Sequence, residues 1–247
     1  MWLARGGPPE SPLVIYEYHE TRSSQHAKAF LEGYSGYLQT DGYQAYETAL
    51  NGNDDIVYVG CLAHARRKFV EAAKASKKAG SAQIAVKKIK EIYRVESTLR
   101  DKDLDEAEIQ PLLNDLKAWL DDKAEKVRPS TATGKAIAYT LGQWSKIIRF
   151  LDSPYLTPDN NAAERSIKPF VVGRKNWLFS GFPTGAKASS LFYSLIETAK
   201  ANDLNPYGYL YWIFDQYAGK GDDFDNEKLL PWNCDREAIR KVAFKGL

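Results

Sequence analysis

A chain of 247 residues is long enough for one large core or two modest ones, and 44% hydrophobic with 13% aromatic residues excludes a disordered polymer. Thirty-four lysines and arginines against 32 acids leave a net charge of +2, which excludes a histone-like polybasic protein but not local basic patches. Two cysteines, Cys61 and Cys234, cannot build a disulfide framework; no apolar run approaches the roughly 18 residues that span a bilayer; and MWLARGGPPESP has no apolar signal core, so a cytoplasmic protein without membrane contact is expected.

The first sixty residues read as α/β. Residues 12–18 (PLVIYEY) are β-branched and aromatic, as a strand requires, and Ser23 or Ser24 can cap a helix in which Ala27, Phe30, Leu31 and Tyr34 recur at helical spacing. Residues 36–40 form a short strand running into Asp41-Gly42, residues 43–50 a short helix, 51–54 (NGND) a turn, and 56–59 (IVYV) a further strand. Strand and helix alternating in this order belong to a layered α/β sheet.

From Leu62 the pattern turns helical. Phe69, Ala72 and Ala73 mark one apolar face, with Arg66, Arg67, Lys68, Lys74, Lys77 and Lys78 around it. A second helix carries Ala85, Ile89, Ile92, Tyr93 and Leu99, with Glu96 on the apolar stripe, where a carboxylate needs a partner such as a nearby arginine. A third runs through Ile109, Leu112, Leu113, Leu116, Trp119 and Leu120. After the break at Arg128-Pro129-Ser130, a fourth continues from Ile137 through Leu141, Trp144, Ile147 and Ile148 to Leu151. Next, NNAAERSIKP reads as a short helix from Asn160 stopped by Pro169, and residues 170–180 as extended chain. Thr184 can cap a helix carrying Ala188, Leu191, Phe192, Leu195, Ile196 and Ala199; Asn205-Pro206 starts another, with Leu210, Phe214 and Tyr217 on one face. The tail from Gly219 is polar and expected to be loose, apart from Trp232.

Charge is uneven along the chain. Residues 61–100 hold eleven bases against three acids, whereas residues 101–126 hold nine acids against four bases. This reads either as a positive working face beside a solvated outer helix or as two ordinary charged helix surfaces.

Four constellations bear on chemistry. Asp41, at a strand end before a glycine, is either a turn aspartate or a hard oxygen ligand for Mg²⁺ in a sheet crevice. Glu164 is either a first-turn glutamate favoured by the helix dipole or a metal-binding carboxylate, with Asn160 and Asn161 close enough in sequence to support it. It stands before Arg165, Lys168, Arg174 and Lys175, and a carboxylate among phosphate-binding cations is the layout of a nucleic-acid phosphoryl-transfer site. Cys61 and His64 give half of a metal-type spacing, but Cys234, His19 and His26 do not complete it, so no structural zinc is expected; His64 is then a candidate neighbour of Asp41. Finally, Arg66-Arg67-Lys68 and GRKNW, with Arg174, Lys175 and Trp177, mix cations with aromatics as phosphate contact and base stacking require, although each is also compatible with a solvated helix face.

LQTDGYQAY, CLAHARRKF, NNAAERSIKPFVVGRKNWLFSG and SLIETAKANDLNPYGYL, in this order, resemble the DDE transposases of the IS-sixty-six group of bacterial insertion sequences, the TnpC type. The resemblance implies a ribonuclease H-like α/β catalytic core interrupted by a large helical insertion and followed by a helical C-terminus. It implies Asp41 and Glu164 as the second and third acids of a triad holding Mg²⁺ or Mn²⁺ for DNA phosphoryl transfer. His64, Asn160 and Asn161 would lie near them, and Arg66, Arg67, Lys68, Arg165, Arg174, Lys175 and Trp177 on the DNA. The partners implied are insertion-sequence ends and target DNA, further copies of the chain, and accessory proteins of the same element. The corresponding division is 1–80 and 153–200 as the two parts of the core, 81–152 as the insertion and 201–247 as the C-terminal segment.

The resemblance is incomplete at the start. The family's first acid lies in an Asp-Glu-Thr-Pro stretch absent here; MWLARGG resembles the strand that follows it, and neither Glu10 nor Glu17 occupies a matching position. A C-terminal part of a transposase with little or no strand transfer of its own is therefore expected, with two readings of its activity: phosphoryl transfer belonging to the intact enzyme, or DNA binding and association without chemistry. A complete nuclease using Glu96 as substitute acid is a third.

Overall fold

The computed structural model describes residues 1–49, 52–75, 80–101, 108–177, 180–218 and 225–245. In chain order the elements of the first part are β1 (Trp2–Gly6), β2 (Leu13–Glu17), α1 (Ser24–Phe30), β3 (Gly36–Gln39), α2 (Gln44–Ala49), β4 (Ile56–Val59) and α3 (Leu62–Ala75). There follow α4 (Ser81–Asp101), α5 (Ile109–Lys126), α6 (Ala132–Gly142), α7 (Trp144–Ile147), α8 (Asn161–Trp177), α9 (Pro183–Ala201), α10 (Pro206–Tyr217) and α11 (Arg236–Lys245). They form two compact units: residues 1–22 with 162–247, and residues 23–161. The chain is mostly helical, and among the described residues the strands make two separate two-stranded sheets where the α/β reading expects one layered sheet. Among the described residues no helix is long and apolar enough to cross a membrane.

In the first unit β1 and β2 pair antiparallel, Ala4 opposite Ile15 and Arg5 opposite Val14. Gly7 turns the hairpin at φ +85°, where a Cβ would meet the Ser11 carbonyl oxygen at 2.4 Å, so only glycine fits. The outer edge of β2 is served by a helix. Thr198 Oγ1 accepts the Val14 N–H (3.0 Å) and donates to the Val14 carbonyl (2.9 Å); Ser194 Oγ accepts the Tyr16 N–H (2.8 Å). Asn202 Nδ2 donates to the carbonyl of Pro12 (2.8 Å), a residue with no N–H to satisfy. Four helical residues rise about 6.0 Å and two strand residues about 6.7 Å. The i, i+4, i+8 row of Ser194 and Thr198 on α9 and Asn202 at its C-cap therefore nearly matches alternate strand residues, and shields the edge from further pairing.

This explains why the buried stripe of α9 is polar. Ser190, Glu197 and Thr198 are buried, whereas Leu191 and Phe192, two of the large apolar residues of the predicted helix, are exposed. The helix also starts at Pro183, so Thr184 lies inside its first turn and does not cap it. In α10 the Asn205 cap is present, accepting the Gly208 N–H at 2.9 Å, but the buried face is Tyr209, Trp212 and Ile213, with Phe214 and Tyr217 outside. The C-terminal part is more ordered than its polarity implies: Leu229 and Ile239, the latter on α11, bury against α10 residues, and the Tyr209 hydroxyl donates to the Leu229 carbonyl (2.7 Å).

The second unit holds β3 and β4, paired in parallel and joined through α2. Ser23 caps α1, its side chain accepting the Gln25 N–H. The core beneath is helical: Leu62 and Phe69 of α3, Ile89 and Ile92 of α4, Leu113, Leu116 and Leu120 of α5, Ile137 of α6 and Phe150. Each such side chain fully buried is worth about 1.5–3 kcal/mol, enough to fix the helices on their apolar stripes. Glu96 is buried and paired with Arg100 at 2.7 Å; Arg100 also donates to the carbonyls of Pro154 and Leu156, tying α4 to the 153–156 segment. That pairing assigns Glu96 a structural role and removes the reason to consider it a substitute acid.

Two helix expectations are corrected. The fourth helix is not continuous: α6 ends at Gly142, α7 is one turn, and Ile148–Asp152 is 3₁₀. The break turns the Lys146 carbonyl outward to accept the Gly60 N–H (2.9 Å), and Gly60 packs so closely that a Cβ would lie 3.0 Å from the Ile147 nitrogen. Conversely, Pro169 does not stop α8, which runs on to Trp177 through residues read as extended. The proline costs the helix one hydrogen bond, to the Arg165 carbonyl. Beyond it Phe170 is anchored against Tyr193 and Tyr16, ring centroids 5.3 and 6.2 Å away.

Candidate functional site

The predicted site residues fall in both units. In the second, β3 extends one residue past its last ladder position, the Thr40 N–H donating to the Val59 carbonyl (3.1 Å), and releases Asp41 into solvent. Asp41 Oδ1 accepts the Tyr43 N–H at 3.0 Å across Gly42, which sits at φ +78°. The turn role is thus realised with one carboxylate oxygen, and Oδ2 has no partner among the described residues. A carboxylate oxygen at an exposed strand end is chemically suited to a hard cation. Among the described residues no three His, Cys, Asp or Glu side chains gather into a group able to hold a metal ion.

Cys61 precedes the first turn of α3 and is buried. Its sulfur receives backbone N–H groups of Asn160, His64 and Ala63, while the Leu62 N–H donates to the Pro158 carbonyl (2.8 Å). The cysteine therefore caps α3 and joins it to residues 158–160. Burial pushes its thiol up from the ordinary value, and the nearby Asp159 carboxylate adds to the shift. Asp159 accepts both the Asn161 N–H (3.0 Å) and its side-chain amide (2.6 Å). The carboxamide of Asn161 is thereby committed to Asp159, and the side-chain Oδ1 of Asn160 is buried without a partner among the described residues. The Tyr93 hydroxyl lies buried beside Asp159, outside strict hydrogen-bond geometry, and burial followed by that carboxylate raises its ionisation far above the normal range. Tyr93 and Asp159 escaped sequence reasoning; a Pro-Asp-Asn-Asn run before a helix was the only signal. His64 Nε2 lies 3.4 Å from the Arg67 guanidinium. Arg66 is half-buried, Arg67 and Lys68 are exposed, and the Lys68 ammonium sits 4.5 Å from the centroid of the Tyr139 ring.

In the first unit Glu164 is half-buried in the first turn of α8, and Arg165, Lys168, Arg174 and Lys175 are exposed. Lys168 lies one turn after Glu164 on the same face, and because the helix continues past Pro169, Lys175 joins them there, an arrangement that an extended segment would not produce. The side chain of Trp177 lies outside the described residues, as do Lys77 and Lys78. Two further polar residues were missed. Glu197 is buried and paired with Lys200 at 2.8 Å, and Tyr16, its ionisation raised by burial and then by Glu197, donates its hydroxyl to the Ser166 carbonyl.

Residues 1–188 match the model of the Transposase IS66 family, and residues 194–232 match that of the IS66 C-terminal element. The chain belongs to the IS66 transposase family. Among curated proteins it is 32% identical to the uncharacterised protein y4jD of Sinorhizobium fredii over 95% of this chain and 48% of that protein. It is 30% identical to y4hP and to y4qI of the same organism, over 96% and 94% of this chain and 46% and 45% of theirs. The chain thus spans just under half the length of these relatives. No solved structure matches it.

Proposed function

We propose that this chain is the catalytic portion of a DDE-type DNA transposase with a ribonuclease H-like core, in which Asp41 and Glu164 are two of the metal-holding carboxylates. The observation that carries this reading is the family match over residues 1–188, within which Asp41 stands exposed at a strand end and Glu164 shares a helix face with Lys168 and Lys175. Mg²⁺ or Mn²⁺ held by such oxygen donors would ease the build-up of negative charge on a phosphodiester under attack. Asp41 offers the carboxylate oxygen not spent on its turn. Cys61 and Asp159 act by position, holding the start of α3 and the residues that lead into α8. Arg66, Arg67, Lys68, Arg165, Arg174, Lys175 and Trp177 contact DNA phosphates and bases. The intact transposase assembles on insertion-sequence ends with further copies of itself and with accessory proteins of the element.

The test uses the 247-residue chain with fluorescent duplexes, measuring binding by anisotropy and strand cleavage with Mg²⁺ or Mn²⁺. Salt-sensitive binding is expected, and any metal-dependent cleavage is expected to vanish in Asp41→Asn and Glu164→Gln while binding persists. Binding that does not depend on Mg²⁺ or Mn²⁺ would favour the second reading, a DNA-binding portion without chemistry of its own. A folded chain that fails to bind DNA at low salt overturns both.

A further inference from the structure

Within the first unit, β1, α8 and α9 enclose an open cavity of about 180 Å³ lined by Arg5, Ala162, Arg165, Ser166 and Glu197. We propose that this cavity is a phosphate seat, taking one phosphodiester of the DNA backbone between the guanidiniums of Arg5 and Arg165. The inference rests on the functional reading above and adds to it a site in which Arg5 and Ser166, neither marked by the sequence, take part.

The charges on the lining are unequal in a way that selects an anion. Glu197 is neutralised by Lys200 at 2.8 Å. Arg5 has one contact, Nη1 donating to Ser166 Oγ at 3.3 Å, and neither Arg5 nor Arg165 has an ion-pair partner among the described residues. Two positive charges are therefore uncompensated on one small polar cavity. A planar guanidinium fork left unpaired beside a cavity is matched by two oxygens of a phosphate, which accept its N–H groups side by side.

The Ser166 hydroxyl is part of the seat. It donates to the Ala162 carbonyl at 3.1 Å and so presents its lone pairs to Arg5, which fixes the rotamer of the guanidinium before a ligand arrives. The Glu197 carboxylate, already engaged by Lys200, offers an anion no hydrogen-bond donor, which leaves the arginine side as the place to sit. Arg165 directly follows Glu164 in the chain, so a phosphodiester held here is delivered next to the helix turn that carries the proposed metal-holding carboxylate.

Free phosphate shares this chemistry, and the experiment separates the two sources. Duplex binding is measured against salt for the wild type, Arg5→Gln, Arg165→Gln, the double variant, Arg5→Lys and Lys117→Gln, with thermal melts confirming folding; in parallel, ³¹P line broadening reports inorganic phosphate. Each glutamine variant is expected to weaken binding about tenfold on unrelated sequences alike and to lower the log–log salt slope by about 0.9, with about 1.8 in the double variant. Arg5→Lys should restore the slope but not the full affinity, and Lys117→Gln, on the acidic face of α5, should change neither. Slopes unchanged in both glutamine variants while the wild type binds DNA would overturn the cavity assignment and leave the functional reading standing. Phosphate broadening lost in Arg5→Gln with no change in DNA binding would overturn it in favour of free phosphate. A wild type that does not bind DNA overturns the functional reading and the DNA assignment together; the phosphate arm then shows whether an anion seat remains.

Discussion

Replacing Thr198 with valine keeps the shape of the side chain and deletes the hydroxyl that faces the β2 edge. Thr198 is 4% exposed and Val14 fully buried, so water cannot take the place of the lost partner. Both polar groups of the Val14 backbone are then orphaned, the N–H that donated at 3.0 Å and the carbonyl that accepted at 2.9 Å. A buried polar group left unpaired costs about 1–3 kcal/mol, and the two are adjacent and relax together, so about 2–4 kcal/mol is expected in all. Thr198→Ser keeps both hydrogen bonds and loses one methyl group, about 1 kcal/mol. Urea unfolding gives the difference, and native-state hydrogen exchange locates it: a loss of about 3 kcal/mol should speed exchange of the Val14 amide on the order of 10²-fold in the valine variant. Equal stability and equal Val14 exchange in the two variants would refute the idea that α9 completes the sheet edge.

Other expectations follow from the same contacts. The raised ionisation of the Cys61 thiol means that it stays protonated in the folded chain after it has ionised in the unfolded one, so its contribution to stability is complete below about pH 9 and is lost as pH rises through the folded value. At pH 8 a thiol reagent should modify Cys234, which is half-exposed, and reach Cys61 only in urea; equal labelling rates would contradict this. Gly60→Ala should cost about 1–3 kcal/mol in denaturant unfolding, because its Cβ would press on the Ile147 backbone, and an unchanged midpoint would show that the end of α7 is pliable. Glu96→Gln should cost about 1–2 kcal/mol, discounted because Arg100 is 38% exposed, and leave DNA binding intact; loss of binding at unchanged stability would return Glu96 to the functional site.

The helices α3 to α5 were legible because their burial follows apolar spacing: Phe69, Ile89, Ile92, Leu113, Leu116 and Leu120 are fully buried where the 3–4 pattern places them. The caps at Ser23 and Asn205 were legible for an equally local reason, a short polar side chain before a helix start. Asp41 and Glu164 were marked by residue type and by resemblance, yet the turn geometry of Asp41 is the one any Asp-Gly pair makes, so sequence alone left two roles open. What stayed hidden has a common cause. Hydrophobic periodicity finds a face only where the partner surface is apolar, and α9 packs on the polar edge of a strand, which selects Ser194, Thr198 and Asn202 and turns Leu191 and Phe192 outward. Pro169 failed as a stop signal because a proline's penalty of about 3 kcal/mol is a local cost. The aromatic packing of Phe170 against Tyr16 and Tyr193, supplied from β2 and α9, lies far away in sequence and offsets that cost. The continuity it preserves is what adds Lys175 to the face that Glu164 and Lys168 already share, so the part of the candidate site that sequence misread depends on tertiary contacts that no local rule contains.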